Sequence, residues 1–215
     1  MLKIWGRKNS INVQKVMWAV GELGLPHERI DAGGSFGGLN EPGFIAMNPM
    51  KRIPVIDDAG TVIWESHAIT RYLCAQYGVG RLWPESAVQR SAGDIWMEWT
   101  QTSLQPTFMN GVFWSFYRTP EAQRDWPAIR QSIQNTANLF HVLDKHLAKR
   151  PFVGGETLTM SDIPPGVQLY RYFSLEIERP SLPHVEAWYE RLCSRPAYRE
   201  HVMVPFDELR GRLSF

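Results

Sequence analysis

The sequence predicts a chain of two parts, an α/β unit over residues 1–78 followed by an all-helical unit over 86–215. Two observations carry this reading. The first part alternates short β-rich runs with helical periodicity, in the order strand, helix, strand, then hairpin and helix, which is the pattern of an α/β domain. Beyond Gly78-Val79-Gly80-Arg81-Leu82-Trp83-Pro84-Glu85, a glycine- and proline-bearing break without periodicity, long helical patterns replace the strands. Residues 79–85 are therefore read as the linker.

Leu2–Trp5 is the first strand, and Gly6-Arg7-Lys8-Asn9-Ser10 the loop after it. A helix is expected from Ile11 to Leu23, with Val13, Val16, Met17, Val20 and Leu23 at helical spacing, ended by Gly24 and Pro26. His27–Asp31 suits a second strand parallel to the first, completing a β-α-β unit. Gly33-Gly34-Ser35-Phe36-Gly37-Gly38 lacks the Gly-Lys-Ser/Thr ending of a phosphate-binding loop and is expected to be a mobile flap. Leu39–Met47 should hold one short helical turn. Val55–Asp57 and Thr61–Trp64 flank Asp58-Ala59-Gly60, a tight hairpin, because Asp and Gly tolerate the positive φ angles that such reversals need. Ile69, Tyr72, Leu73 and Tyr77 then mark a helix with Ser66 as its expected N-cap.

In the second part, Ser86–Phe116 carries Ile95, Trp96, Trp99, Leu104, Phe108, Phe113 and Trp114, with Pro106 and Gly111 expected to bend or interrupt it. Ala128–Leu147 is a second long helix. Thr159-Met160-Ser161-Asp162 opens a third through a capping box in which Asp replaces the usual Glu. Pro164-Pro165 should kink or weaken that helix near its start. Leu182–Ser194 and Pro196–Met203 are shorter helices, and 205–215 is a tail.

Composition narrows the function classes. The chain has 215 residues, 44% hydrophobic and 21% charged, as a globular protein does. Its net charge of +1 and lack of a basic block offer nucleic acid or anionic membrane no footprint. No apolar stretch approaches the roughly 18 residues of a membrane span. The two cysteines, Cys74 and Cys193, have neither metal nor redox spacing and read as buried free thiols. With no leader-like segment at the N-terminus, a cytoplasmic location is expected. No metal site is expected.

Two places look chemical. Pro54 opens a strand, where an Ile53-Pro54 bond can be cis and leave the backbone N–H and C=O of Ile53 free to pair with an extended peptide. Glu65-Ser66 sets a carboxylate beside a helix N-terminus, so one dipeptide attracts both an ammonium and a carboxylate, the two ends of an amino-acid zwitterion. Ser10 stands at the mouth of the first β-α turn, where a hydroxyl can donate to a bound thiolate. It has Val13 three residues on and so forms no capping box. Asn9 and Asn12 compete with it for the capping role.

Asn48-Pro49, Ile53-Pro54-Val55, Trp64-Glu65-Ser66 and Ile69 with Arg71-Tyr72-Leu73 resemble the thioredoxin-like half of cytosolic glutathione transferases, specifically the serine-type, delta/theta-like members and their bacterial relatives. The resemblance extends over Leu2–Gly78 and Ser86–Met203, where the Thr-x-x-Asp signal matches the folding motif of the family's helical domain. It implies that Ile53, the residue before Pro54 of a cis bond, pairs with the cysteinyl backbone of glutathione, that Glu65 and Ser66 hold its γ-glutamyl end, and that Lys51 holds its glycyl carboxylate. Lys51 and Arg52 read equally well as a solvated surface pair. Aligning Leu23-Gly24 with serine-type members places their catalytic Ser on Ser10. Those members carry a small residue and a proline next, whereas this chain has Ile11-Asn12, and bacterial relatives that use an Asn here keep Asn12 as the alternative. The hydrophobic electrophile would enter between the domains, against Trp99, Phe108, Trp114 or Phe206, although core packing explains any one of these aromatics as well. The implied activity is conjugation of glutathione, a co-substrate rather than a cofactor, to hydrophobic electrophiles by a homodimer. A glutathione-dependent disulfide or peroxide reductase and a non-catalytic carrier of hydrophobic ligands are the alternatives.

Overall fold

The computed structural model describes residues 1–214. Four strands form one sheet in the order β2-β1-β3-β4: β1 (Leu2–Trp5) pairs parallel with β2 (His27–Ile30) and antiparallel with β3 (Val55–Asp58), which pairs antiparallel with β4 (Thr61–Trp64). Val55 lies opposite both Trp5 and Trp64, so the register brings the start of β3 beside the end of β1. The hairpin turns on Ala59 (φ 51°) and Gly60 (φ 95°), with the Gly60 N–H donating to Asp57 Oδ1 at 2.7 Å. Two successive positive φ angles match the right-handed twist of the strands they join.

Helix α1 (Ile11–Leu23) ends on Gly24 at φ 67°, as the sequence predicts. From Val13 to Val20 every side chain is buried, Gln14 and Lys15 included, because the helix is sandwiched. One side faces the sheet and α3 (Ser66–Tyr77); the other faces the helical domain. A short turn at Gly34–Phe36 and α2 (Pro42–Met47) fill the connection from β2 to β3.

Helix α4 (Ala87–Trp99) does not stop at Pro106. It widens into i→i+5 hydrogen bonding over Thr100–Leu104 and Pro106–Arg118, seen in the Gln105 N–H bonding to Thr100 O and the Thr119 N–H to Trp114 O. A wider turn accommodates a proline that has no N–H to give. Trp126–Leu147 forms α5, capped by Asp125, whose carboxylate accepts the Ala128 N–H at 3.1 Å. It starts two residues earlier than periodicity suggests because Pro127 sits in its first turn, where no N–H is needed.

The prolines at 164 and 165 receive the same correction. A 3₁₀ turn at Met160–Asp162 precedes α6 (Ile163–Ser174), so both fall in the first turn of α6 and break no ladder bond. The capping box is present as expected. Asp162 is fully buried and accepts from the N–H groups of Thr159 (3.0 Å) and Val153 (2.7 Å) and from Trp188 Nε1 (3.2 Å). Two shorter helices, α7 (Pro183–Cys193) and α8 (Pro196–His201), complete the domain. The last described stretch, 205–214, lies back on the core; Phe215, part of the expected tail, is outside the described residues.

The two units share one apolar core. Trp18 of α1 meets Tyr198 of α8 edge-on at 4.8 Å, and a Cβ on Gly166 of α6 would lie 2.8 Å from the Trp18 ring. Glu22 of α1 takes a two-pronged bond from Arg195, at 2.7 and 2.6 Å. Arg71 of α3 bonds Asp94 and Glu98 of α4. The expected linker is itself tight: Leu82 is buried, and its carbonyl accepts the Met160 N–H at 2.9 Å.

Candidate active site

The β1–α1 loop, the turn before β3 and the start of α3 converge at the C-terminal end of β1. Ser10 is the N-cap residue of α1 by backbone geometry, and its side chain makes no capping hydrogen bond. Its carbonyl accepts the Gln14 N–H and its own N–H donates to Arg7 O, so the backbone holds the residue while the hydroxyl keeps its donor. Asn12, the alternative, is held through its acceptor: its Oδ1 accepts from Gln105 Nε2 at 3.2 Å, an atom other than the Nδ2 amide that would donate to a thiolate.

The Ile53-Pro54 bond is cis. Among the described residues, no turn, loop or side-chain hydrogen bond uses the N–H or C=O of Ile53. Buried Asn48 braces the approach, donating to Arg52 O at 2.9 Å and accepting the Met50 N–H at 3.0 Å. Lys51, at φ 53°, is exposed and reaches Asn40 Oδ1 at 3.1 Å.

Glu65, not Ser66, is the N-cap residue of α3, which corrects the sequence reading. Glu65 takes φ 72°, a left-handed conformation costly for a side chain of its size, and stands exposed at the helix N-terminus. Ser66 is the first helical residue and is buried. The bend thus parts the pair, with the carboxylate outward and the serine in the helix's positive end.

Beneath Glu65 lies a polar network that the sequence reading missed. Lys15 Nζ, fully buried, donates to His67 Nε2 at 2.9 Å and to Gln105 Oε1 at 2.7 Å; Gln168 Nε2 reaches the same Oε1 at 3.1 Å. Burial pushes the Lys15 ammonium down to about 7, against the pull of Glu65. His67 is held neutral, far below the ordinary imidazole value, by burial and by the charges of Lys15 and Arg71. The network joins α1, α3, the widened helix and α6 behind the start of α3. Its sequence signal was the apolar run Val16–Val20, which marks a helix buried all round and so buries any polar residue within it.

A cleft of about 410 Å³ opens beside Asn9, between the β1–α1 loop, the Ser35-Phe36 turn and the tail at Val204 and Leu209. The tail is tied to the Ser10-bearing loop by the Asn9 amide donating to Glu208 Oε1 at 2.5 Å. The predicted aromatics lie elsewhere. Phe108 is wholly buried, edge-on to Tyr172 at 5.7 Å, so it is a core residue rather than a cleft wall. Trp99 packs on Trp96 at 5.1 Å, and Trp114 lies 3.8 Å under the Arg118 guanidinium. Phe206 is buried among Phe113, Tyr117 and Tyr170.

The fold is that of a two-domain protein of thioredoxin-like type, with the open backbone of Ile53, the exposed Glu65 carboxylate at the start of α3 and the Ser10 hydroxyl at the start of α1. Comparison with known proteins gives the family. Residues 9–76 match the model for the glutathione S-transferase N-terminal domain and 104–196 the model for its C-terminal domain. The chain is 39% identical over 207 residues to glutathione S-transferase GstB of Escherichia coli, covering 95% of this chain and 99% of that one. It is 29% identical to glutathione S-transferase 3 of Zea mays, covering 94% and 93%. A crystal structure of the theta class glutathione S-transferase of Xanthomonas axonopodis pv. citri with glutathione bound superposes with a TM-score of 0.90 at 43% identity, covering 95% and 98%. The chain belongs to the glutathione S-transferase family, and with it is a transferase enzyme. Among the described residues no helix is long and apolar enough to cross a membrane.

Proposed function

We propose that the enzyme binds glutathione along the open backbone of Ile53, lowers the pKa of its thiol through the Ser10 hydroxyl, and joins the sulfur to a hydrophobic electrophile. The observation that carries this reading is the Ser10 hydroxyl, placed at the N-terminus of α1 and exempt from capping it. A free thiol with pKa near 8.5 is about a few per cent thiolate at neutral pH. One charge-assisted hydrogen bond contributes about 1.5–3 kcal/mol, and each pKa unit takes about 1.4 kcal/mol, so one donor makes the thiolate a major species. The dipole of α1 adds to this.

Glu65 faces the γ-glutamyl ammonium, Ser66 and the helix end take the neighbouring carboxylate, and Lys51 takes the glycyl carboxylate. Pro54 shapes the edge on which Ile53 pairs. The thiolate attacks the electrophile in the space between the domains; Phe108, wholly buried in the core, takes no part in holding it, and Trp99 and Trp114, both half-buried on α4 and its widened continuation, remain the aromatic candidates. Residues 1–78 thus serve glutathione and 86–215 the electrophile, with 79–85 joining them. Cys74 takes no part in thiol chemistry, since it is buried and its thiol is pushed up to about 12. Exposed apolar residues on the edge strand β4 (Val62, Trp64) and on α4 (Val88, Ile95) support a homodimer that covers them.

Purified enzyme is tested with glutathione and a panel of aryl and benzyl halides, with conjugate formation followed directly. Saturable conjugation that weakens in Ser10→Ala is the expected result. Glutathione binding without conjugation to any electrophile would replace this reading with that of a carrier.

A further inference from the structure

Asn12 and Lys15 lie three residues apart on α1 and so share one face, which meets the helical domain at Gln105. Gln105 stands where the continuation of α4 is widened, its N–H bonded to Thr100 O, and such widened turns recur at functional sites. Its side chain spans both residues of α1. Gln105 Oε1 accepts from Lys15 Nζ at 2.7 Å and from Gln168 Nε2 at 3.1 Å, while Gln105 Nε2 donates to Asn12 Oδ1 at 3.2 Å.

The direction of this chain is set from its root. The Lys15 ammonium has donors only, so the end of Gln105 that faces it must be the carbonyl oxygen. Gln168 enforces the same choice independently. Its Nε2 lies 3.5 Å from Pro164 O, a carbonyl that can only accept, so the nitrogen is the end that also meets Gln105. With Oε1 committed, Gln105 offers Asn12 its NH2, and Asn12 must answer with Oδ1. The Asn12 Nδ2 is thereby turned away from Gln105. Among the described residues no hydrogen bond uses that nitrogen, and Asn12 is only half-buried, in the first turn of the helix that Ser10 precedes.

We infer that Gln105 is a positioning residue for the thiolate: by holding Asn12 Oδ1 it presents the Asn12 Nδ2 amide as a second donor to the glutathione sulfur, beside the Ser10 hydroxyl. The inference rests on the thiolate reading of the Ser10 site and adds to that site a residue of the helical domain. Glutathione gives its thiol proton to solvent, and the sulfur accepts from the Ser10 hydroxyl and the Asn12 amide. Gln105 touches no substrate. An unheld Asn12 would turn over and present Oδ1, whose lone pairs repel a thiolate.

The test is the ultraviolet thiolate absorbance of bound glutathione across pH in Gln105→Glu, made in wild type and in Asn12→Ala. A carboxylate at this position still accepts from Lys15 but has no N–H, so Asn12 turns its NH2 towards it and away from the sulfur. The thiol pKa should rise by about one unit in Gln105→Glu, the effect of one charge-assisted donor. In the Asn12→Ala background the same change should move it far less, since only the direct effect of the added charge remains. Equal rises in the two backgrounds, or no rise in either, overturn the inference. Should Gln105→Glu fail to fold, the neutral Gln105→Met decides: a rise confined to the protein that keeps Asn12 supports the inference, and any other pattern overturns it. Wild type separates the two readings. Bound glutathione whose thiol stays at its free value sinks the thiolate reading and this inference with it, whereas a lowered thiol that Gln105→Glu leaves unmoved sinks this inference alone.

Discussion

Removing the Ser10 hydroxyl should separate chemistry from folding. A serine at an N-cap ordinarily costs about 0.5–2 kcal/mol to replace with alanine. Here the hydroxyl makes no capping bond, and the backbone contacts that seat the residue, Ser10 N–H to Arg7 O and Gln14 N–H to Ser10 O, survive the change. Ser10→Ala should therefore alter stability by no more than about 0.5 kcal/mol, as at an ordinary surface site. The bound thiolate loses one charge-assisted donor, about 1.5–3 kcal/mol, which raises the thiol pKa by roughly one to two units. The assay is ultraviolet thiolate absorbance of bound glutathione across pH, for wild type, Ser10→Ala and Asn12→Ala, with urea unfolding alongside. At a pH below the variant's pKa, kcat should fall by about ten- to hundredfold. An unchanged thiol pKa in Ser10→Ala, together with a raised one in Asn12→Ala, would refute the reasoning and move the donor to Asn12.

Other expectations concern the scaffold. Lys15 has a folded-state pKa of about 7, below its unfolded value, so the unfolded chain holds more protons between them and stability rises with pH from about 7 towards 10.5. Lys15→Met should flatten that rise by on the order of 2 kcal/mol between pH 7 and 9, read from urea midpoints at both values; parallel profiles for the two proteins would contradict it. Asp162→Asn swaps a carboxylate that accepts from Val153, Thr159 and Trp188 for a group with one acceptor oxygen fewer, and should cost about 2–4 kcal/mol in chemical denaturation. A loss under about 0.5 kcal/mol would show the box to be dispensable. Gly166→Ala drives a methyl against Trp18 at the domain junction and should cost about 1–3 kcal/mol, whereas a stabilised variant would mean the junction yields freely.

The parts of the molecule legible in the sequence are those set by local chemistry. The hairpin at Ala59-Gly60, the αL end of α1 at Gly24, the capping box at Thr159 and the cis bond before Pro54 each depend on a few adjacent residues. Boundaries failed where a proline belonged to a first turn rather than an interior, at Pro127 and Pro164-Pro165, because a preceding cap or 3₁₀ turn moves the helix start. Ser66 was misplaced by one residue since Glu65 takes a positive φ that its side chain gives no reason to expect.

The local geometry at Ile53-Pro54 and at the start of α3 was largely legible, while the polar groups packed behind it were not. Lys15, His67, Gln105 and Gln168 meet only once four segments are packed, and each alone looks like a surface polar residue. The aromatic helix misled for a related reason. Its periodicity shows which face turns inward but not whether inward means core or cleft, and Phe108 turned out to be core.

The central claim is that glutathione docks along Ile53 with its γ-glutamyl end on Glu65. Calorimetric titration of glutathione into wild type and Glu65→Ala tests it most directly. Stoichiometric binding to wild type, weakened at least about tenfold in the variant by loss of one ion pair to the ammonium, is the predicted result. Absence of binding to wild type, or equal affinity in both proteins, would contradict it.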